Sequence, residues 1–430
     1  MDPLPATSIV NSSQVLLNNQ FNVDFTLQNT SDTIGFKPFI DVLLPYGITT
    51  TDAVSIGHWD VNNSMWKNNS DQEITKHPYD SSISLPSDPE GSYRWYYFVS
   101  HYSSYGQDQP EIVVKSITCQ ISESDGAVLG NALTIKAIPW FRYGKDAEDN
   151  PIEDPPIQGS LISSSVTPTL IILNKSNNLS ESETVTGVNF PFKFTITIDI
   201  ADNQLIENLI IEDELPDMLK YMSLSTVSNV SYISETIVNN IQNGTITWNY
   251  GDIIGVGGTD ITLEYNVYVP LKDSSDQFIL NQTTGSSVPI NTTCTATYDN
   301  GGNTGIQSTD NDQLTAKSIA IQKNDTIKSS YIIPGDNITY TKNIQISDYF
   351  GFDTLLITDT LSDGQIFNDD VTFQIKTGQH TSYQTYNKSS FTSDQVSYIN
   401  SLNGSGEITQ VQITFTAGTI LNDTILRQKK

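Results

Sequence analysis

The sequence predicts an all-β chain built of tandem β-sandwiches. Three observations carry this. Apolar and polar residues alternate with a period of two over short runs, and Gly, Asn, Asp and Pro turn residues separate those runs. One layout also recurs three times, as FIDVLLPYGI from Phe39, IEDELPDML from Ile211 and ITDTLSDGQIF from Ile357. A sheet with one apolar face has to close against another sheet, which makes each unit a sandwich. With 430 residues the chain exceeds what one core organises, so about three domains are expected.

In chain order, FNVDFTL sets Phe21, Val23, Phe25 and Leu27 on one face and Asn22, Asp24 and Thr26 on the other. SYRWYYFVSHYSSYG from Ser92 and EIVVKSITCQI follow as strand-forming stretches. FTITIDI repeats the alternation with Phe194, Ile196, Ile198 and Ile200. GTITWNY, ITLEYNVYV and TCTATY continue the series, with Asn243-Gly244 reading as a tight turn. In NITYTKNIQI the apolar side holds Ile338, Tyr340, Ile344 and Ile346, and Lys342 falls among them, where it must snorkel or pair. VQITFTA reads as a further strand, and no stretch offers a long amphipathic helix.

These runs divide the chain into repeat 1 (1–142), an acidic Pro-rich connector (143–165), repeat 2 (166–306) and repeat 3 (307–430). The last has no evident final strand.

A net charge of -28, from 49 acidic and 21 basic residues, repels phosphate backbones and anionic lipid, which argues against nucleic acid and membrane surfaces as partners. Cys119 and Cys294 fall in different repeats, so no disulfide framework is expected. The opening MDPLPATSIV shows no signal peptide, and nowhere do eighteen apolar residues follow one another.

QKNDTIKSSYIIPGDNITYTKNIQISDYFGFDTLLITDTLSDG resembles the repeat of large bacterial surface proteins and isopeptide-forming fimbrial domains. TPTLIILNKSNNLSESETVTGVNFPFKFTITIDIADNQLIENLIIEDELPDML looks like a second copy. The resemblance implies immunoglobulin-like, fimbrial-type sandwiches in an elongated array. In isopeptide-forming members a buried lysine on the first strand condenses with an asparagine on the last, helped by an acid that polarises the amide. The matching positions in repeat 2 are Lys175, Asp213 and Asn291; repeat 3 offers only Lys323 and Asp359. Aligned on the proline, repeat 1 has Val42 in place of the acid and no lysine on its leading strand, so it is expected not to crosslink.

Asp146, Glu148, Asp149, Glu153 and Asp154 in the connector, with Asp299, Asp310 and Asp312 at the next junction, are oxygen donors of the type Ca²⁺ takes, although solvated linker is the favoured reading. No other cofactor is implied. Tyr93, Trp95, Tyr97 and Tyr102 form a candidate patch for a glycan or partner, with core packing as the alternative. His58, His77, His101 and His380 read as scattered surface residues.

The expected function is that of a non-enzymatic stalk or spacer in an extracellular, cell-surface, adhesin-like protein, whose partners are further repeats or neighbouring subunits. A fibre or virion-surface subunit assembling by strand exchange is a second reading, and a carbohydrate-binding module using the repeat 1 aromatics is a third.

Overall fold

The computed structural model describes residues 3–53, 55–100, 104–105, 112–145, 151–152, 156–227, 234–236, 242–281, 287–325, 335, 337–350, 354–360, 372–375, 384–387, 396–402 and 408–416. The first set of strands is β1 (Pro5–Val10), β2 (Gln14–Leu16), β3 (Gln20–Asn29), β4 (Gly35–Pro45), β5 (Ile48–Thr50), β6 (Gly57–Asp60), β7 (Met65–Asn68), β8 (Tyr93–Val99), β9 (Ser104–Tyr105), β10 (Ile112–Ile121), β11 (Leu133–Lys145), β12 (Pro151–Ile152), β13 (Ile157–Gln158) and β14 (Ile162–Thr169). The second is β15 (Ile171–Asn177), β16 (Glu183–Val185), β17 (Phe192–Ile200), β18 (Leu205–Val227), β19 (Ser234–Thr236), β20 (Gln242–Ile254), β21 (Thr259–Tyr268), β22 (Val288–Asn300) and β23 (Asn303–Lys317). The third is β24 (Ile319–Asp325), β25 (Tyr340–Ile346), β26 (Thr354–Thr360), β27 (Thr372–Ile375), β28 (Gln384–Asn387), β29 (Val396–Leu402) and β30 (Ile408–Thr416).

The first two sets share one topology. In the first, a sheet ordered β1-β3-β10-β5 faces a sheet ordered β2-β14-β11-β4-β8-β6-β7. In the second, β15-β17-β21-β18 faces β16-β23-β22-β18-β20, so β18 belongs to both layers. Both contain one parallel pair, β2 with β14 and β16 with β23. The third set shows β24-β25 and β26-β30-β29, matching β15-β17 and β18-β20-β19. Counterparts of β21, β22 and β23 are not found among its described residues.

The predicted alternation is observed directly. Phe21, Val23, Phe25 and Leu27 of β3 are buried, as are Phe194, Ile196, Ile198 and Ile200 of β17. Each apolar face closes on the opposite sheet, which is the main favourable term in forming such a core.

In its first two copies the repeated layout marks where the chain changes sheets. In β18, Leu205–Leu215 pairs with β20 and residues between Glu207 and Glu214 with β22; after a break, Lys220 still meets β20 at Gln242, and Lys220–Val227 pairs with β21. Pro216 sits in the gap between the two registers, where no ladder donor is needed, a place that suits a residue without an N–H. In the first sandwich β4 ends at Pro45, Gly47 turns the chain with φ +99, and β5 enters the other sheet. Only glycine adopts that angle without strain.

Two expectations are corrected here. The connector expected at 143–165 ends inside β14, whose Ile162–Val166 pairs with β11 and whose Thr167–Thr169 pairs with β2, so the first sandwich runs to Thr169. Asn243 does take a left-handed φ of 57, but within β20 at an irregularity in its pairing with β18 rather than in a hairpin turn.

Candidate functional site

The second sandwich places one charged pair inside its core. In β18, Ile211, Asp213 and Leu215 point inward and Glu212 and Glu214 point out, by simple strand alternation. Lys175 comes from β15, the first strand of this sandwich, and its Nζ donates to Asp213 Oδ1 and to Thr292 Oγ1, the latter at 2.6 Å. Tyr265 OH on β21 donates to Asp213 Oδ2 at 2.6 Å. The ammonium also lies 4.5 Å from the centre of the Phe194 ring. Both side chains of the pair are fully shielded from solvent.

Burial pushes the Asp213 carboxyl above its ordinary pKa, against the opposing pull of Lys175, Tyr265 and Thr292. Burial likewise raises the Tyr265 hydroxyl, reinforced by the Asp213 charge. A lysine touching an aspartate of raised proton affinity in a dry core are the partners an amide-forming condensation with loss of water would use. As an ion pair they instead form an internal clamp between the first strand and the centre of the opposite sheet.

Asn291 does not join this cluster. On β22 the inward positions are Ile290, Thr292, Cys294 and Ala296, and Asn291 lies on the exposed face. The lysine-asparagine crosslink inferred from the resemblance is therefore not assembled, because the one-residue offset between Asn291 and Thr292 turns the amide outward.

Val42 does occupy the matching inward position of β4, between Ile40 and Leu44 in the common core. An acid missed by sequence reasoning lies on the other face. Asp41 is fully buried beneath the 51–90 segment and accepts three N–H donors: Trp95 Nε1 at 2.8 Å, Trp140 Nε1 at 2.9 Å and His77 Nε2 at 3.0 Å. Tyr79 N–H donates to His77 Nδ1, which leaves Nε2 to carry the proton. His77 is thus not a surface histidine, and Asp41 ties the segment to β4. The signal available in the sequence was only a polar residue inside an otherwise apolar strand.

In the third set, Asp359 of β26 accepts from Lys323 at 2.8 Å and from Lys342 at 2.6 Å, so the expected pair meets and Lys342 is paired. Partial burial works against ionisation of Asp359, but the two lysines outweigh it and hold its pKa below the usual carboxylate range.

The remaining candidates separate. Tyr93 and Trp95 are buried within a cluster containing Leu43, Trp59 and Trp66, so they are unavailable to stack on a glycan. Tyr97 is half-buried, and Tyr102 lies outside the described residues. Asp299 accepts from Asn208 Nδ2 and Gly305 N, Asp310 from Lys175 N, and Asp312 from Asn177 Nδ2. Asp310 and Asp312 thus close the β15 edge against β23. Asp146, Glu148, Asp149, Glu153 and Asp154 lie outside the described residues, and among described residues no group of three metal-ligating side chains occurs.

No family model matches the chain, and no curated protein matches it. Among solved structures it is similar to a collagen adhesin (CNA) from S. aureus, with TM-score 0.21 and 10% identity over 80% of this chain and 96% of that one. It is similar to a cohesin module from a Clostridium perfringens family 33 glycoside hydrolase, with TM-score 0.21 and 10% identity over 39% and 98%. It is also similar to Escherichia coli alpha-2-macroglobulin activated by porcine elastase, with TM-score 0.25 and 10% identity over 87% and 24%. At these scores the likenesses carry no argument about what this chain does.

Proposed function

We propose that this chain is a non-enzymatic spacer: a stiff segment of an extracellular surface protein that holds a binding element at a fixed distance. The observation that supports this is the junction between consecutive sandwiches, which is built twice in the same way. One residue, Leu170, separates β14 from β15, and one residue, Ser318, separates β23 from β24. At the first junction Leu17 N donates to Thr169 O and Ala201 N donates to Leu170 O; at the second, Thr186 N donates to Lys317 O and Ser347 N donates to Ser318 O. A strand that leaves one sheet and enters the next with its peptide groups bonded on both sides has little freedom to hinge.

The second junction is further fastened by Asp348, which accepts from Asn189 N at 2.8 Å and Asn189 Nδ2 at 3.0 Å, and by the Thr186–Ser347 hydroxyl contact at 2.6 Å. Gly187 is packed so closely on Asp348 that a Cβ there would lie 2.3 Å from its carboxylate, and its φ of +146 disfavours a side chain. Spin labels at exposed Gln28 and Glu212 are expected to give one narrow distance distribution, which a four-residue Gly-Ser insertion after Thr169 broadens. A broad distribution in the unmodified chain would overturn the spacer reading.

A further inference from the structure

The first and second sandwiches differ at one edge. In the second, the latter half of β18 runs along β21, with Tyr221 opposite Val267, Leu224 opposite Tyr265 and Val227 opposite Leu263. In the first, β10 holds the place of β21, but β5 covers it only from Ile121 to Cys119. Beyond Thr50 the chain turns away, and two side chains take over for one residue: Thr50 Oγ1 donates to Thr118 O at 2.8 Å, and Thr118 N donates to Asp52 Oδ2 at 2.6 Å.

Peptide groups on an antiparallel strand face alternate sides. Since the N–H and C=O of Thr118 face away from β3, those of Ser116 do as well, and Ser116 is exposed. No described strand pairs with this side of β10 from Lys115 to Thr118. Across the gap, β6 covers β8 only at Arg94 and Trp95. Between the two lies a cavity of about 380 Å³ lined by Asp52, Ala53, Ile56, Phe98, Val99 and Lys115 among others. Val99 is 46% exposed there.

We propose that this cleft accepts an extended segment of a partner polypeptide, laid antiparallel to β10 as the strand that the second sandwich supplies from its own β18. The same place in the same topology is filled by a strand whose Leu224 packs on the core while Ser223 and Ser225 face out. The ligand is therefore an extended run in which an apolar side chain, as Leu224 is in β18, is flanked by hydroxyl residues, as Ser223 and Ser225 are. Its backbone pairs with Ser116 and one apolar side chain enters the cavity at Ala53, Ile56, Phe98 and Val99. Edge pairing supplies affinity through main-chain bonds, and the cavity supplies selectivity.

The test uses the full chain and a fluorescein-labelled peptide reproducing residues 219–227, LKYMSLSTV. Saturable binding by fluorescence anisotropy is expected. Ser116→Pro, which removes the outward N–H without touching a β3 bond, should weaken it at least tenfold, as should Val99→Glu, while Ser116→Ala binds like the unmodified chain. Circular dichroism and the melting midpoint check that each variant is folded, and if Ser116→Pro is not, Val99→Glu carries the comparison. Absence of saturable binding, or binding that Val99→Glu leaves unchanged, overturns the proposal.

Discussion

Replacing Lys175 with Met keeps the length of the side chain and removes its charge. Asp213 then remains inside the core with only the Tyr265 and Thr292 hydroxyls for partners. Breaking a buried ion pair from one side costs about 3–5 kcal/mol, because the remaining charge is uncompensated. For a sandwich of this size that lowers the melting midpoint by roughly 10 °C, at about 2–4 °C per kcal/mol. The sign of the pH dependence follows from Asp213. Its folded pKa is already raised by burial, and loss of the lysine, which pulls it down, raises it further. A carboxyl with raised folded pKa contributes stability that is complete below its unfolded value and is lost as pH rises through the folded value. The gap between variant and parent is therefore widest at neutral pH and narrows toward pH 4. Denaturant melts at a series of pH values measure it. The double change Lys175→Met with Asp213→Leu should recover most of the loss, since well-packed apolar pairs replace buried ion pairs at little cost. A single-variant cost below about 1 kcal/mol at pH 7, or a gap that widens in acid, would refute the view of this pair as a buried clamp.

Asp199 lies near Asp260 and Asp202, and burial followed by these two charges pushes its pKa up to about 6. Stability from this group is present below pH 3.8 and lost as pH rises through 6, so Asp199→Asn should stabilise the chain at pH 7.5 by about 1 kcal/mol after solvent screening and do nothing at pH 3.5, by chemical denaturation. Asp41→Ala orphans the N–H groups of Trp95, Trp140 and His77; a loss of about 3 kcal/mol and a change in tryptophan emission are expected. Intact mass spectrometry should show no ammonia loss of about 17 Da, because Asn291 faces outward, whereas a loss of about 18 Da would mean that Lys175 and Asp213 had condensed with release of water.

What was legible in the sequence was what period-two alternation encodes. Phe194, Ile196, Ile198 and Ile200 announce a half-buried strand whatever surrounds them, and all four are buried. The inward orientation of Asp213 follows from the same parity, because Ile211 and Leu215 flank it at steps of two. Parity also exposes the error at Asn291. Counting outward from Ile290 and Cys294 puts Thr292, not Asn291, in the core, so the alternation within INTTCTATY already contradicted the position that the family resemblance supplied. Asp41 was illegible for a different reason. β4 is buried on both faces, so its apolar residues show no period and parity assigns the carboxylate to no side. Its donors come from residues 36, 54 and 99 positions away, an assembly fixed only when the 51–90 segment folds over the sheet.

The junctions show where local pattern gives way to topology. A Pro- and Asp-rich stretch reads as a linker by composition, and it supplied five of the carboxylates weighed as Ca²⁺ donors, with solvated linker the favoured reading. In the structure the described parts of that stretch, β12 and β13, pair with β11, and the chain beyond them forms β14, which pairs with β2 and β11 and leads through one residue into β15. In the proposed spacer, stiffness comes from backbone pairing on both sides of Leu170. The carboxylates set aside for the metal, Asp310 and Asp312, act on the second sandwich instead, by bonding the Lys175 N–H and the Asn177 amide at the β15 edge. Those two bonds make the buried pair more than an ornament of the core. Lys175 is held at both ends, its amide N–H by Asp310 of β23 and its ammonium by Asp213 of β18, so β15 is tied to two strands of the opposite layer. For load carried through β15, cutting the Asp310 contact with Asp310→Ala should lower the unfolding force of the second sandwich in single-molecule extension while leaving the first unchanged. Equal loss in both, or none, would show that the load follows another route.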